Sequence, residues 1–209
     1  MIRTTQRAAR RGAVLAALTA AVLAALAAAC SVAPPQPSAL AEANFNGEAA
    51  VAQVRAAGGA AARELDVQPL RDSQVEDLRQ KAEVLEKSRK YPEAAAALDQ
   101  ALQVNADDPA LLQERAEAAL LLHRLDDAER FAQKAYDGGS QVGPLCRRHW
   151  AAIAQARQGR LDGVNAAMKL AKRQDHYDAL VPQRDGLIRS RKQAQDKIDA
   201  CTVAAPARY

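Results

Sequence analysis

The chain has 209 residues, of which 49% are hydrophobic but only 3% are aromatic. This mixture favours helices, because strands are enriched in β-branched and aromatic side chains, and we predict an all-α fold. The formal net charge is +4, yet four arginines precede Cys30; without them, 25 basic residues face 25 acidic ones. The basic excess belongs to the first residues alone, so we do not expect a nucleic-acid partner.

The first 29 residues have the layout of a bacterial export signal. Residues 1–11 are basic, and residues 12–29 form an uncharged apolar run that ends in small residues. The segment Ala27-Ala28-Ala29-Cys30 resembles the lipobox of bacterial lipoprotein precursors. That resemblance implies cleavage before Cys30, a diacylglycerol thioether on its sulfur and, with Ser31 following, an outer membrane location facing the periplasm. Two alternatives stay open: cleavage at the same bond by ordinary signal peptidase, or retention of the apolar run as an inner-membrane anchor.

Residues 30–72 are predicted to form a Pro/Ala-rich tether. It begins with the sequence SVAPPQPS, in which proline and serine favour an extended chain. The alanine-rich remainder is interrupted by Asn46-Gly47, Gly58-Gly59 and Pro69, and we expect it to be a weakly ordered linker.

From residue 75 onward the sequence repeats with a period of 34. The positions Tyr91, Ala94, Leu98 and Ala101 are followed 34 residues later by Leu125, Ala128, Ala132 and Ala135. This period, with small residues where two helices cross, resembles the tetratricopeptide repeat. The resemblance implies helix pairs at 75–108 and 109–142, with a divergent third pair at 145–178. We expect a capping helix at 183–201, because stacked repeats need a polar end, and then a tail at 202–209.

The repeat resemblance also implies a binding groove. In this family the first helix of each pair lines a concave face that holds a protein or peptide partner. The residues that the resemblance assigns to this groove are Arg79, Glu83, Gln113, Glu117, Leu120, His149 and Trp150. Trp150 has the alternative of a buried core position. The function implied is a membrane-anchored, non-catalytic scaffold for envelope assembly.

No catalytic motif is evident, and we expect no enzyme activity, cofactor or metal. The three histidines, His123, His149 and His176, are scattered along the chain. Cys146 and His149 are three residues apart on one helix face, but a structural zinc site needs a second pair of ligands. An envelope enzyme or metal carrier built on this pair is the alternative function, and an inner-membrane regulatory subunit is another.

The lipoprotein resemblance bears on the other cysteines. If Cys30 is lipidated, Cys146 and Cys201 remain in an oxidising compartment, where an even number favours pairing. We therefore predict a disulfide between them; two free thiols are the alternative.

Overall fold

The computed structural model describes residues 36–59 and 72–202. All regular secondary structure in these ranges is helical, which confirms the all-α prediction for them. The eight helices described are α1 Pro37–Asn44, α2 Gly47–Gly59, α3 Ser73–Lys87, α4 Tyr91–Val104, α5 Pro109–Leu121, α6 Leu125–Gly138, α7 Gly143–Leu170 and α8 Gln174–Ala200. The predicted signal peptide, Cys30 and residues 203–209 lie outside the described residues. Among the residues described, no helix has the length and apolar character needed to cross a bilayer.

Two helical hairpins, α3–α4 and α5–α6, form the middle of the chain. Their turns match at an offset of 34 residues: Arg89 and His123 both adopt a positive φ of 58°. The amide of Lys90 bonds to the carbonyl of Leu85 at 2.9 Å, as the amide of Arg124 bonds to Ala119 at 2.9 Å. The periodicity in the sequence therefore corresponds to a repeated turn geometry in the structure.

Local signals explain where these hairpins begin. The Asp72 carboxylate accepts a hydrogen bond from the amide of Gln74 at 2.8 Å, so it caps α3. Asp108 caps α5 in the same way, accepting from the amides of Ala110 and Leu111, and Pro109 occupies the first turn of that helix. An acceptor at the N-cap satisfies amides that otherwise have no partner in the helix. The alanines at the predicted crossing positions are buried.

The predicted third helix pair is wrong. Residues 145–178 were expected to form two helices, but α7 continues without a break from Gly143 to Leu170. The α7 helix then pairs with α8, which begins nine residues before the predicted capping segment 183–201 and ends at Ala200. Gly159 and Gly163 do not form a turn: Phe45 packs where a Cβ of Gly159 would lie, and α1 packs against Gly163. These glycines permit a close approach between helices.

The predicted tether is also wrong for residues 36–59. These residues form α1 and α2, which pack mainly against α7. The side chains of Ala41, Val51 and Val54 are buried there. Alanine forms helices readily, and the Asn46 side chain accepts from the amide of Ala49 at 3.0 Å, where α2 starts. We interpreted the alanine-rich composition of this segment as that of a linker, but the segment forms two helices.

Candidate functional site

Helix α2 covers part of the face that the sequence assigns to a groove. It packs on α5 and α7, the first helices of the second and third hairpins. A Cβ on Gly47 would lie 2.5 Å from the Leu120 carbonyl oxygen and 2.9 Å from the Leu121 Cα atom. At the other end of α2, Arg147 donates hydrogen bonds to the carbonyls of Ala57 and Gly58, at 3.0 and 3.2 Å. Both ends of α2 are therefore fixed to the array.

Five of the seven predicted groove residues are buried and do not line a groove. Gln113, Leu120 and His149 are 0% exposed, and Glu117 is 1% exposed. Trp150 belongs to the core, where its ring packs edge-on against Tyr136 with centroids 4.9 Å apart. The assignment of these five to an open groove is wrong, because α2 and the packing of α7 remove that face from solvent.

Of these buried residues, Glu117 and Leu120 contact α2, and Gln113, Glu117 and His149 form a polar network. The Glu117 carboxylate accepts from Arg55 Nε at 2.8 Å, from Arg148 at 2.5 and 3.1 Å, and from Gln113 Nε2 at 2.9 Å. Gln113 Oε1 in turn lies 2.7 Å from His149 Nδ1. Because Arg55 belongs to α2 and Arg148 to α7, one buried carboxylate holds three helices together. A buried charge needs such partners to offset its lost hydration.

His149 is neutral within this network. Burial, together with the nearby Arg148 charge, lowers the pKa of His149 to about 3. Gln113 Oε1 can only accept a hydrogen bond, so the His149 proton resides on Nδ1. A histidine held neutral and buried in this way does not shuttle protons near neutral pH.

An open groove of about 710 Å³ remains beside the end of α2. It is bounded by α3, by the start of α4, by α5, by the start of α7 and by the C-terminal part of α2. Arg79 and Glu83 line it, as predicted. Its charged lining residues are Arg55, Glu76, Arg79, Glu83, Glu86, Lys87, Glu114 and Arg148. Small apolar side chains, among them Ala82, Ala94 and Ala118, lie between these charges.

The groove charges are paired with one another. Arg79 bonds to Glu114 at 2.9 Å and to Glu76 at 2.9 Å, and the hydrogen bond with Glu114 raises the pKa of Arg79 above its usual value. Burial alone would lower the pKa of Arg55, but its hydrogen bonds and charge interactions with Glu86 and Glu117 raise it. These cations stay charged, and the groove presents alternating positive and negative groups.

The sequence did not identify Arg55 or Arg148 as groove residues. Arg55 lies in the segment interpreted as a tether, and Arg148 adjoins the Cys146–His149 pair that was considered for a metal. The spacing of Val51 and Val54, three residues apart and both buried, is the signal for a helix in this segment. With α2 recognised, Arg55 falls next to the buried face and becomes a candidate.

Cys146 and Cys201 are joined by a disulfide. The S–S distance is 2.01 Å and the Cα atoms are 5.7 Å apart. The bond links the start of α7 to the end of α8, and the amide of Gly143 donates to the Cys201 carbonyl at 2.7 Å beside it. The metal site proposed on Cys146 and His149 is therefore wrong, because the sulfur is bonded and the imidazole is buried. Elsewhere in residues 36–59 and 72–202, no three His, Cys, Asp or Glu side chains are placed to hold a metal ion.

The chain matches no protein-family model, and no curated protein is significantly similar to it. Its function must therefore be inferred from the contacts of its own residues.

Proposed function

We propose that this protein is a lipid-anchored, non-catalytic scaffold of the tetratricopeptide type that binds a protein or peptide partner in the cell envelope. The observation that carries the proposal is the open groove beside α2. Two hairpins with the same turn geometry at a 34-residue offset support the repeat assignment. The groove volume of about 710 Å³ lies in the range of pockets that hold compact ligands.

The lining of the groove suits a short peptide with charged side chains. The cations and carboxylates of the groove are already paired with one another. A partner peptide must therefore replace these pairs, placing acidic groups near Arg79 and Lys87 and a basic group near Glu83. Such complementarity contributes more to specificity and association rate than to affinity. The alanines between the charges leave room for a main chain to approach closely. We expect binding to weaken as the salt concentration rises, because the exposed pairs are screened.

Site-specific photo-crosslinking tests the groove. A photoreactive amino acid at Gln80, which lines the groove, is compared with the same group at Gln103, which is exposed but lines a separate depression between α3 and α4. We expect a covalent adduct from position 80 and little from position 103. The double variant Glu83→Arg and Lys87→Glu reverses two exposed charges and should lower the yield at position 80. Equal yields at both positions, or none at either, would contradict the groove assignment.

The anchor is proposed at Cys30, after removal of residues 1–29, with the protein held at the outer membrane facing the periplasm. The support is the basic, apolar and small-residue order of the leader with its terminal cysteine. One acyl chain gives marginal binding, whereas two anchor stably. Wild-type protein should carry a lipid-sized mass on its first residue and resist an alkaline wash of membranes. The anchor proposal fails if Cys30→Ser resists the wash equally and wild-type protein shows no added mass.

A further inference from the structure

Charge is unevenly distributed along the described part of the chain. Residues 169–192, which comprise the last two residues of α7, the connection and about two thirds of α8, contain seven basic and three acidic side chains. The other described residues contain 15 basic and 20 acidic ones. This segment is thus a cationic region on an otherwise acidic body, and we call residues 169–192 the basic end.

The acidic side chains of the basic end are all engaged. Asp175 pairs with Arg173 at 2.7 Å, and Asp185 pairs with Arg184 at 2.9 Å. Asp178 accepts from the Gln174 side chain at 2.9 Å. These interactions hold the three negative charges next to local donors.

Three exposed cations of the basic end have no partner in the described part of the chain. They are Lys169, Lys172 and Arg189, which make no ion pair or hydrogen bond through their side chains there. In the other hairpins Lys81, Lys90 and Arg124 are likewise exposed with no side-chain partner among the described residues, whereas Lys87 is paired with Glu83. The basic end differs from them in its net charge, because its unpaired cations lie in a segment where basic side chains outnumber acidic ones.

Large apolar side chains are exposed beside these cations. Leu170 is 56% exposed, Tyr177 38% and Ile188 43%. Tyr177 and Ile188 are 11 residues apart, which is about three helical turns, so they share one face of α8. Leu170 follows Lys169 at the end of α7, and Ile188 precedes Arg189 on α8. Exposed aliphatic and aromatic groups next to cations are suited to a membrane interface.

We propose that the basic end binds the surface of a bilayer that contains anionic phospholipids. Lys169, Lys172 and Arg189 would contact the headgroups, while Leu170 and Tyr177 enter the interfacial layer. Cations attract anionic lipid only within a screening length of the surface, so the α8 face must lie along the bilayer. This inference goes beyond the peptide-binding groove and does not depend on the lipid at Cys30.

An environment-sensitive fluorophore tests the proposal in the full chain. The background is Cys30→Ser, in which Cys146 and Cys201 are bonded to each other, and the label is attached to Leu170→Cys or, as the matched control, Val84→Cys. Val84 is 63% exposed and lies on α3. Vesicles of phosphatidylcholine with phosphatidylglycerol are compared with vesicles of phosphatidylcholine alone. We expect a blue shift at position 170 with the anionic vesicles only, and none at position 84.

A charge-reversed variant completes the test. Lys169→Glu, Lys172→Glu and Arg189→Glu together should weaken the partition to anionic vesicles on the order of 100-fold or more, as judged from the label at position 170. These side chains are exposed and unpaired, so the melting temperature should stay unchanged. The proposal is overturned if position 170 gives no shift, if position 84 shifts equally, or if the variant binds as the parent does. A shift with polyglutamate but not with anionic vesicles would instead assign the basic end to an acidic protein.

Discussion

Replacing Glu117 by leucine should destabilise the fold strongly. The substitution removes the acceptor for Arg55, Arg148 and Gln113 while keeping a side chain of similar size. Breaking a buried ion pair costs about 3–5 kcal/mol. The arginine side chains are 47% and 28% exposed and can regain water, but Gln113 is fully buried. We therefore expect the lower end of that range, about 3 kcal/mol.

The assays are urea unfolding and thermal melting, both followed by far-ultraviolet circular dichroism. A loss of about 3 kcal/mol lowers the melting temperature by about 6–12 °C for a chain of this size. The matched control is Glu83→Leu, which removes an exposed pair with Lys87 and should leave stability nearly unchanged, because exposed ion pairs contribute little. Equal effects of the two substitutions would refute the view that Glu117 fixes α2 in place.

Other substitutions probe the packing, the bridge and the buried histidine. Gly47→Ala should lower the unfolding free energy by about 1–3 kcal/mol through overpacking. Gly59→Ala is the control and should be neutral, because no atom lies within 4 Å of the added Cβ. Similar melting temperatures for the two variants would contradict the contact of Gly47 with α5. Ala128→Leu, at a fully buried site, should cost about 1–3 kcal/mol in the same melting assay, and unchanged melting would contradict the close helix crossing. Cys201→Ser removes the disulfide that closes a loop of 55 residues and should lower the unfolding free energy by about 4 kcal/mol. Reductant should destabilise the wild type but not the variant, and an equal change in the unfolding free energy of both would contradict this. The pKa of His149 is lowered to about 3 in the folded state, so stability should fall as pH drops from about 6.5 toward 3, because the unfolded chain then binds the extra proton. That slope should be shallower in His149→Phe, and an identical pH profile would contradict the neutral, buried imidazole.

The hairpins were predictable because their signals are local. Asp72 and Asp108 cap the helices that follow them, and the 34-residue spacing of alanine and leucine repeats in the sequence itself. These features depend on neighbours within a few residues, so they can be recognised without knowing the tertiary structure. The cysteine count likewise suggested which two sulfurs to pair.

The candidate site was predicted only in part, because the position of α2 against α5 depends on contacts between segments that are far apart in sequence. Nothing near Gln113 or Glu117 in sequence indicates that a segment about 60 residues earlier covers them. Gly159 was assigned to a third repeat, although its small size permits contact with Phe45, the residue that follows α1. Where distant segments meet, the local pattern is compatible with more than one packing.

The placement of α1 and α2 has a consequence for how the protein unfolds. In a simple repeat array each unit contacts only its neighbours, so its ends can fray independently. Here side chains join residues far apart in sequence: Gln155 bonds to Gln53, and His123 bonds to the carbonyl of Glu42. Releasing the α5–α6 or the α7–α8 hairpin therefore also exposes part of the interface with α1 and α2. Denaturation should approach a single all-or-none transition, and folding should be slower than in an array of the same length whose contacts are all between neighbours.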